Sequence, residues 1–129
     1  MRRPIAYSGY QFTIAYAVCL DQSKPAEEFY DSLADPDKAK LNKLFERLGD
    51  HGRISNEEKF KKIENSDFFE FKSFQIRMPC FFLPGKLVVI THGFWKKGDK
   101  IPPAEVKRAE RIRQEDQENE YGGPRHDSL

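Results

Sequence analysis

Between residues 68 and 97 the chain sets cations at positions that could meet a phosphate. Arg77 stands in the middle of FQIRM (74–78), on the face opposite Ile76 and Met78. Lys72 and Gln75 are expected to share its face. Lys96 and Lys97 follow the apolar run KLVVITHGF (86–94) after Trp95. A guanidinium grips a phosphate through two parallel hydrogen bonds, and an ammonium serves it as a point charge. This set could stabilise charge developing on a phosphodiester. His92 is the only imidazole in the segment, and its ordinary pKa suits acid–base work. Lys72 and Gln75 could hold flanking nucleotides, and Trp95 could stack on a base. Arg108 and Arg111, further along, could hold backbone phosphates.

Each of these residues also has a plain structural reading. Arg77 could pair on the surface with Glu70. Two lysines at a strand end are commonly a solvated edge. Parity places Lys96 with Phe94, and Lys97 with Thr91 and Trp95, so the pair offers one cation to each side of a strand. The same parity groups His92 with Ile90 and Phe94, which favours a structural imidazole over a catalytic one. Trp95 is as well suited to core packing as to a base.

Other chemistries find little support. The three histidines are far apart, at 51, 92 and 126, and the only cysteines are Cys19 and Cys80, each in an apolar stretch. They are expected to be reduced core thiols; neither a metal site nor a cofactor is expected. No glycine-rich phosphate loop and no Gly-x-Ser-x-Gly elbow occurs.

The cations need a scaffold. Residues 10–20 (YQFTIAYAVCL) alternate aromatic or β-branched residues with small ones and predict a strand. A short helix follows, with Ser23 as cap, Pro25 in its first turn, and Ala26, Phe29, Tyr30 and Leu33 on one face. Asp35 and Pro36 start a second helix, whose apolar residues Leu41, Leu44, Phe45 and Leu48 keep helical spacing until Gly49 or Gly52 ends it. Residues 52–66 read as a loop. In 68–82, two strands with a turn near Ser73 are expected to bury Phe69, Phe71, Phe74, Ile76 and Met78 on one face and leave a polar face open. Pro84-Gly85 marks another turn, and 86–94 suits a strand buried on both sides. Pro102-Pro103 stops it and starts a final helix to about Gln117, with a thin stripe of Val106, Ala109 and Ile112.

The order is thus strand, helix, helix, three strands, helix, an α+β arrangement with the helix pair on one face of the sheet. With 129 residues, of which 38% are hydrophobic, one domain is expected over 1–115, and the charged segment 116–129 is expected to be a disordered tail. The net charge of +1 says nothing about nucleic acid. No run of apolar residues would span a membrane, and the interrupted N-terminal stretch makes a poor export signal, so a cytoplasmic location is expected.

The pieces KFKKIENSDFFEFKSFQIRMPCFF, THGFWKKGDKIPPAE and VKRAERIR, with the helix end LFERLGDHG, resemble the RelE/HigB superfamily of type II toxins, in particular its phage-derived branch. The resemblance covers roughly residues 12–115. It implies a RelE-like fold: an N-terminal αα-hairpin on a twisted, mainly antiparallel four-stranded sheet, with a C-terminal helix. It implies a metal-independent endoribonuclease acting on translated mRNA, at times on the ribosome. It also implies a cognate antitoxin with a helix-turn-helix domain. Arg77 matches an arginine of that family, which favours the phosphate clamp over the surface pair. The competing expectation is a prophage protein of the same fold that binds RNA or the ribosome and cleaves nothing. It stays open because only His92 offers proton-transfer equipment beside the cations.

Overall fold

The computed structural model describes residues 3–98 and 100–121. Ten elements follow one another: β1 (Ile5–Ser8), β2 (Thr13–Tyr16), α1 (Pro25–Asp31), α2 (Asp35–His51), β3 (Phe60–Lys62), β4 (Phe69–Ser73), β5 (Ile76–Leu83), β6 (Leu87–Ile90), β7 (Phe94–Trp95) and α3 (Pro103–Tyr121). The strands form one sheet in the order β1-β2-β6-β5-β4-β3, and β7 pairs with β5. All pairs are antiparallel except β2 with β6. The expected α+β arrangement, the helix pair and the C-terminal helix are present. The sheet has seven strands, where four were expected.

The extra strands have identifiable causes. β1 carries an exposed Ile5 and a register shift between Ile5 and Tyr7, which hides its alternation. β3 is three residues long, with two lysines, in a stretch that reads as loop. The expected strand over 86–94 is broken into β6 and β7. Both run along β5, and the break lies beside Pro79, which has no N–H to give to a ladder. There Thr91 instead donates its amide to the Pro79 carbonyl at 2.9 Å.

Leu41, Leu44, Phe45 and Leu48 of α2 pack on one face of the sheet against Ile14, Phe71, Ile76, Met78 and Ile90, with Ala26 of α1. Gly52, in the left-handed region at φ 81°, ends α2. Cys19 and Cys80 are buried free thiols, as their apolar surroundings suggested.

The opposite face is not left open. Ala109 and Ile112 of α3, both fully buried, pack there on Phe68, Phe81 and Val89. Burying one isoleucine is worth about 1.5–3 kcal/mol, so this thin stripe suffices to seat a highly charged helix. Polar bonds fix its far end. Asp116 receives the Arg3 guanidinium at 2.8–3.1 Å and the Val18 amide at 2.9 Å, and the Asn119 amide donates to the Val18 and Cys19 carbonyls. Beyond the Ala17 amide, which still donates to the Ile90 carbonyl at 2.9 Å, these side-chain contacts take over from the ladder, so β2 stops short of Leu20. They also make 116–121 helical, where a disordered tail was expected; residues 122–129 of that tail lie outside the described residues.

Phe74 is the other departure. It does not join Ile76 and Met78 in the core. It sits in the two-residue turn between β4 and β5, at φ 55° and 69% exposed.

Candidate functional site

Strand alternation sends Glu70, Lys72 and Arg77 to the α3 side of the sheet. Lys72 stands opposite Arg77, and Lys61 opposite Glu70. That end of the sheet lies beyond the apolar seat of α3, so a cleft of about 600 Å³ remains between them. Its walls carry Lys61, Lys62, Lys72, Lys96, Lys100 and Lys107 against Glu64, Glu70 and Glu110, an excess of three positive charges. Field from one sign of charge in such a concavity concentrates anions.

Glu70 is the centre of this set. Only 5% of it is exposed. Its Oε1 lies 3.7 Å from Nε of Arg77, too far for a hydrogen bond, and neither atom has another partner. Burial pushes the Glu70 carboxyl above its ordinary range, although Arg77, Lys72 and Lys96 pull the other way. Burial likewise lowers the Lys72 ammonium. Lys72 also donates from Nζ to the Glu57 carbonyl at 3.1 Å. A carboxyl shifted up and an ammonium shifted down in one cleft are suited to exchanging protons with a ligand.

Arg77 lies at the rim of this set and is 8% exposed. Its Nη1 donates to the carbonyls of Phe74 and, at 2.9 Å, Ile76. The guanidinium thus braces the β4–β5 turn while its Nε faces Glu70.

The residues singled out in the sequence fall into four places. Lys72, Lys96 and Arg77 come together around Glu70. Gln75 and Lys97 are exposed near them without lining the cleft; the Gln75 carbonyl receives the Lys96 amide at 2.6 Å. Trp95 is half-exposed on the opposite side of the sheet, with its ring 6.2 Å from that of Phe29. Arg108 and Arg111 line a separate cavity of about 690 Å³ between α1 and α3, where Arg111 pairs with Glu115 at 2.7 Å.

His92 does not line the lysine cleft, lies close enough to Arg108 and Arg111 to feel their charge, and is fully buried. Its ring lies 5.6 Å from that of Phe94. Glu105 can only accept, so Nε2 carries the proton and donates to it at 2.9 Å, and Nδ1 accepts from the Thr91 hydroxyl at 2.9 Å. Burial drives the imidazole down to about 4, against the pull of Glu105. The ring is neutral and ties the β6–β7 break to the first turn of α3.

Glu70 was the residue missed as chemistry; in the sequence it figured only as a surface partner for Arg77. The available signal was its parity with Lys72 and Arg77, which puts a carboxylate inside the cationic face. Lys61 was hidden in the segment read as loop. Among the described residues no three His, Cys, Asp or Glu side chains gather as a metal site would need. No helix among them is long and apolar enough to cross a membrane.

Residues 28–114 match the family model described as phage derived protein Gp49-like (DUF891). This span holds Glu70, Lys72, Arg77 and Lys96. No curated protein matches the chain.

Proposed function

The chain belongs to the phage-derived Gp49-like family, which is related to the RelE/HigB-type toxins, and on that premise we propose that it is the toxin of a type II toxin–antitoxin pair, an endoribonuclease whose active site is the lysine-walled cleft around Glu70. The observation that carries this reading is the buried, proton-hungry Glu70 among Lys72, Lys96 and Arg77.

RNA cleavage of this kind needs no metal because the substrate supplies its own nucleophile. Glu70 takes the proton of a 2′-hydroxyl, and the 2′-oxygen attacks the adjacent phosphorus. Arg77 and Lys96 offset the charge that builds on the phosphoryl oxygens. As the bond to the 5′-oxygen breaks, Lys72, whose ammonium burial has weakened, gives that oxygen a proton. The products are a 2′,3′-cyclic phosphate and a 5′-hydroxyl. Positioned proton transfer of this sort contributes about 10²–10⁴-fold. Lys61, Lys100 and Lys107 hold flanking phosphates. Translated mRNA as substrate and a helix-turn-helix antitoxin as partner follow from the kinship with RelE/HigB-type toxins.

A non-catalytic RNA-binding protein of the same fold is the second reading. The engagement of Arg77 with two backbone carbonyls favours it, because part of the guanidinium is committed to the turn. The deciding experiment gives the purified chain an end-labelled RNA, with and without ribosomes. A cyclic-phosphate end, lost when the nucleotide at the cut carries 2′-deoxyribose, is the expected result. A folded chain that neither cuts RNA nor arrests growth when expressed alone overturns the nuclease.

A further inference from the structure

Phe74 breaks two rules of a hairpin turn at once. The turn joins Ser73 to Ile76, which are paired across the ladder, so Phe74 and Gln75 are its central residues. Phe74 takes the left-handed backbone, φ 55°, a place that suits Gly or Asn and strains a bulky side chain. Its ring is also 69% exposed, so no burial offsets the strain. An unfavourable conformation that displays an apolar ring calls for a use of that ring.

The surroundings indicate what the ring meets. Nζ of Lys40 sits 4.3 Å from its centroid. On α2 the exposed Lys40, Lys43 and Arg47 follow one another at helical spacing, a basic row leading away from the ring. Trp95, 51% exposed, stands opposite Ile76 in the ladder, on the same helical side of the sheet as Lys40. The next residue, Lys96, turns to the cleft on the other side. The Phe74 carbonyl is held by Arg77. Two exposed rings and a row of cations thus share the helical side of the sheet, across from the cleft. A protein partner would be met by an apolar patch; rings set among cations match a strand of unstacked bases and phosphates.

We infer that Phe74 and Trp95 form a stacking platform for two unpaired bases of a single-stranded nucleic acid, and that the strand then crosses the β4–β5 turn to present its phosphate to the cleft. The inference rests on the nuclease reading for its substrate but makes a separate claim, that the protein selects single strands through Phe74. Duplexes keep their bases stacked on each other and cannot use the platform.

Trp95 is the only tryptophan of the chain, so its emission reports on the platform alone. The probe is a short 2′-O-methyl oligonucleotide, which cannot be cut. Saturating single strand is expected to quench Trp95; the same sequence as a duplex is not. Phe74→Gly is expected to weaken single-strand binding by roughly 5- to 150-fold, the loss of one stacked base. Its Tm is expected to be unchanged or higher, because glycine accepts the backbone without strain. A Phe74→Gly protein that binds the oligonucleotide within twofold of the parent overturns the inference, as does unmoved Trp95 emission. In either case the rings are left to a protein partner. Binding does not require cutting, so a chain that cuts nothing but binds through Phe74 refutes the nuclease and keeps the platform. A nuclease indifferent to Phe74 does the reverse.

Discussion

Glu70, which lines the cleft, and Arg77, on the neighbouring strand, lie with Oε1 and Nε 3.7 Å apart and neither atom hydrogen-bonded. The pair is close enough to feel each other's charge and too far apart to satisfy it. Desolvation wins over attraction at Glu70, as the upward displacement of its carboxyl records. An ionised Glu70 is therefore a net cost to the fold, tolerable only if the charge is used.

A carboxyl raised by folding destabilises the native state where it is ionised. The cost is absent well below its ordinary value of 4.5, grows as pH rises past it, and is complete above the folded value. Glu70→Gln is thus expected to melt higher than the parent at about pH 8 and to converge with it near pH 4. Cleavage should fall by about 10²–10⁴-fold in the same variant. Thermal melts across pH, set beside a cleavage assay, check both. A variant that is less stable at high pH contradicts the electrostatic account.

The two lysines after β7 are expected to separate. Lys96 lines the cleft and Lys97 does not. Lys96→Ala and Arg77→Ala should each lower cleavage by about 10²–10³-fold, the usual loss for one charge-stabilising donor. Lys97→Ala should change it by less than about tenfold, as expected of one screened surface charge. Single-turnover rates on a labelled RNA give the comparison, and equal losses at both lysines would sink the assignment.

His92 predicts a pH dependence of stability with the opposite sign. Its folded value, about 4, lies below its ordinary 6.5. The unfolded chain therefore binds more protons in that window, and stability present above 6.5 declines as pH falls toward 4. His92→Gln is expected to flatten this decline in urea titrations. Because the ring does not line the cleft, the pH profile of cleavage should keep its shape. Loss of an acidic or basic limb in that profile would return His92 to the chemistry.

Asp116→Ala is expected to cost about 3–5 kcal/mol, the usual effect of removing one member of a buried ion pair. It strips Arg3 of two-point contact and leaves the Val18 amide without its acceptor. Equilibrium urea unfolding measures it. A loss under about 1 kcal/mol would mean that other contacts of the helix end, such as Asn119 and the Arg3–Glu120 pair, carry it.

The sequence disclosed the elements whose signals are local. The face of α2 could be read from Leu41, Leu44, Phe45 and Leu48, and the turn at Pro84-Gly85 from its residue types. It grouped Lys72 with Arg77 because period-2 alternation holds inside a strand, but it left open which of Lys96 and Lys97 joins them. It failed where a distant partner decides. Nothing near Asp116 announces that Arg3 and the Val18 amide will meet it, so its segment reads as tail. Nothing in KLVVITHGF shows that Pro79, seven residues before it, will break the run. Phe74 misled because hydrophobic alternation and a strained turn look alike in a string of letters. Glu70 was visible, but its burial was not, and burial is what makes a carboxylate a base.

The bond between Arg3 and Asp116 joins residues 113 positions apart. It has a consequence for the order in which the molecule is made. β1 through β7 are synthesised before any of α3, and the wall of the cleft that carries Val106, Lys107 and Glu110 belongs to that last helix. Its clamp cannot close until the final turns of α3 have emerged. A nascent chain, and any chain cut short by a stalled or severed message, therefore lacks one wall of its cleft. Under the proposed function, the chain would be able to engage RNA only once α3 is complete.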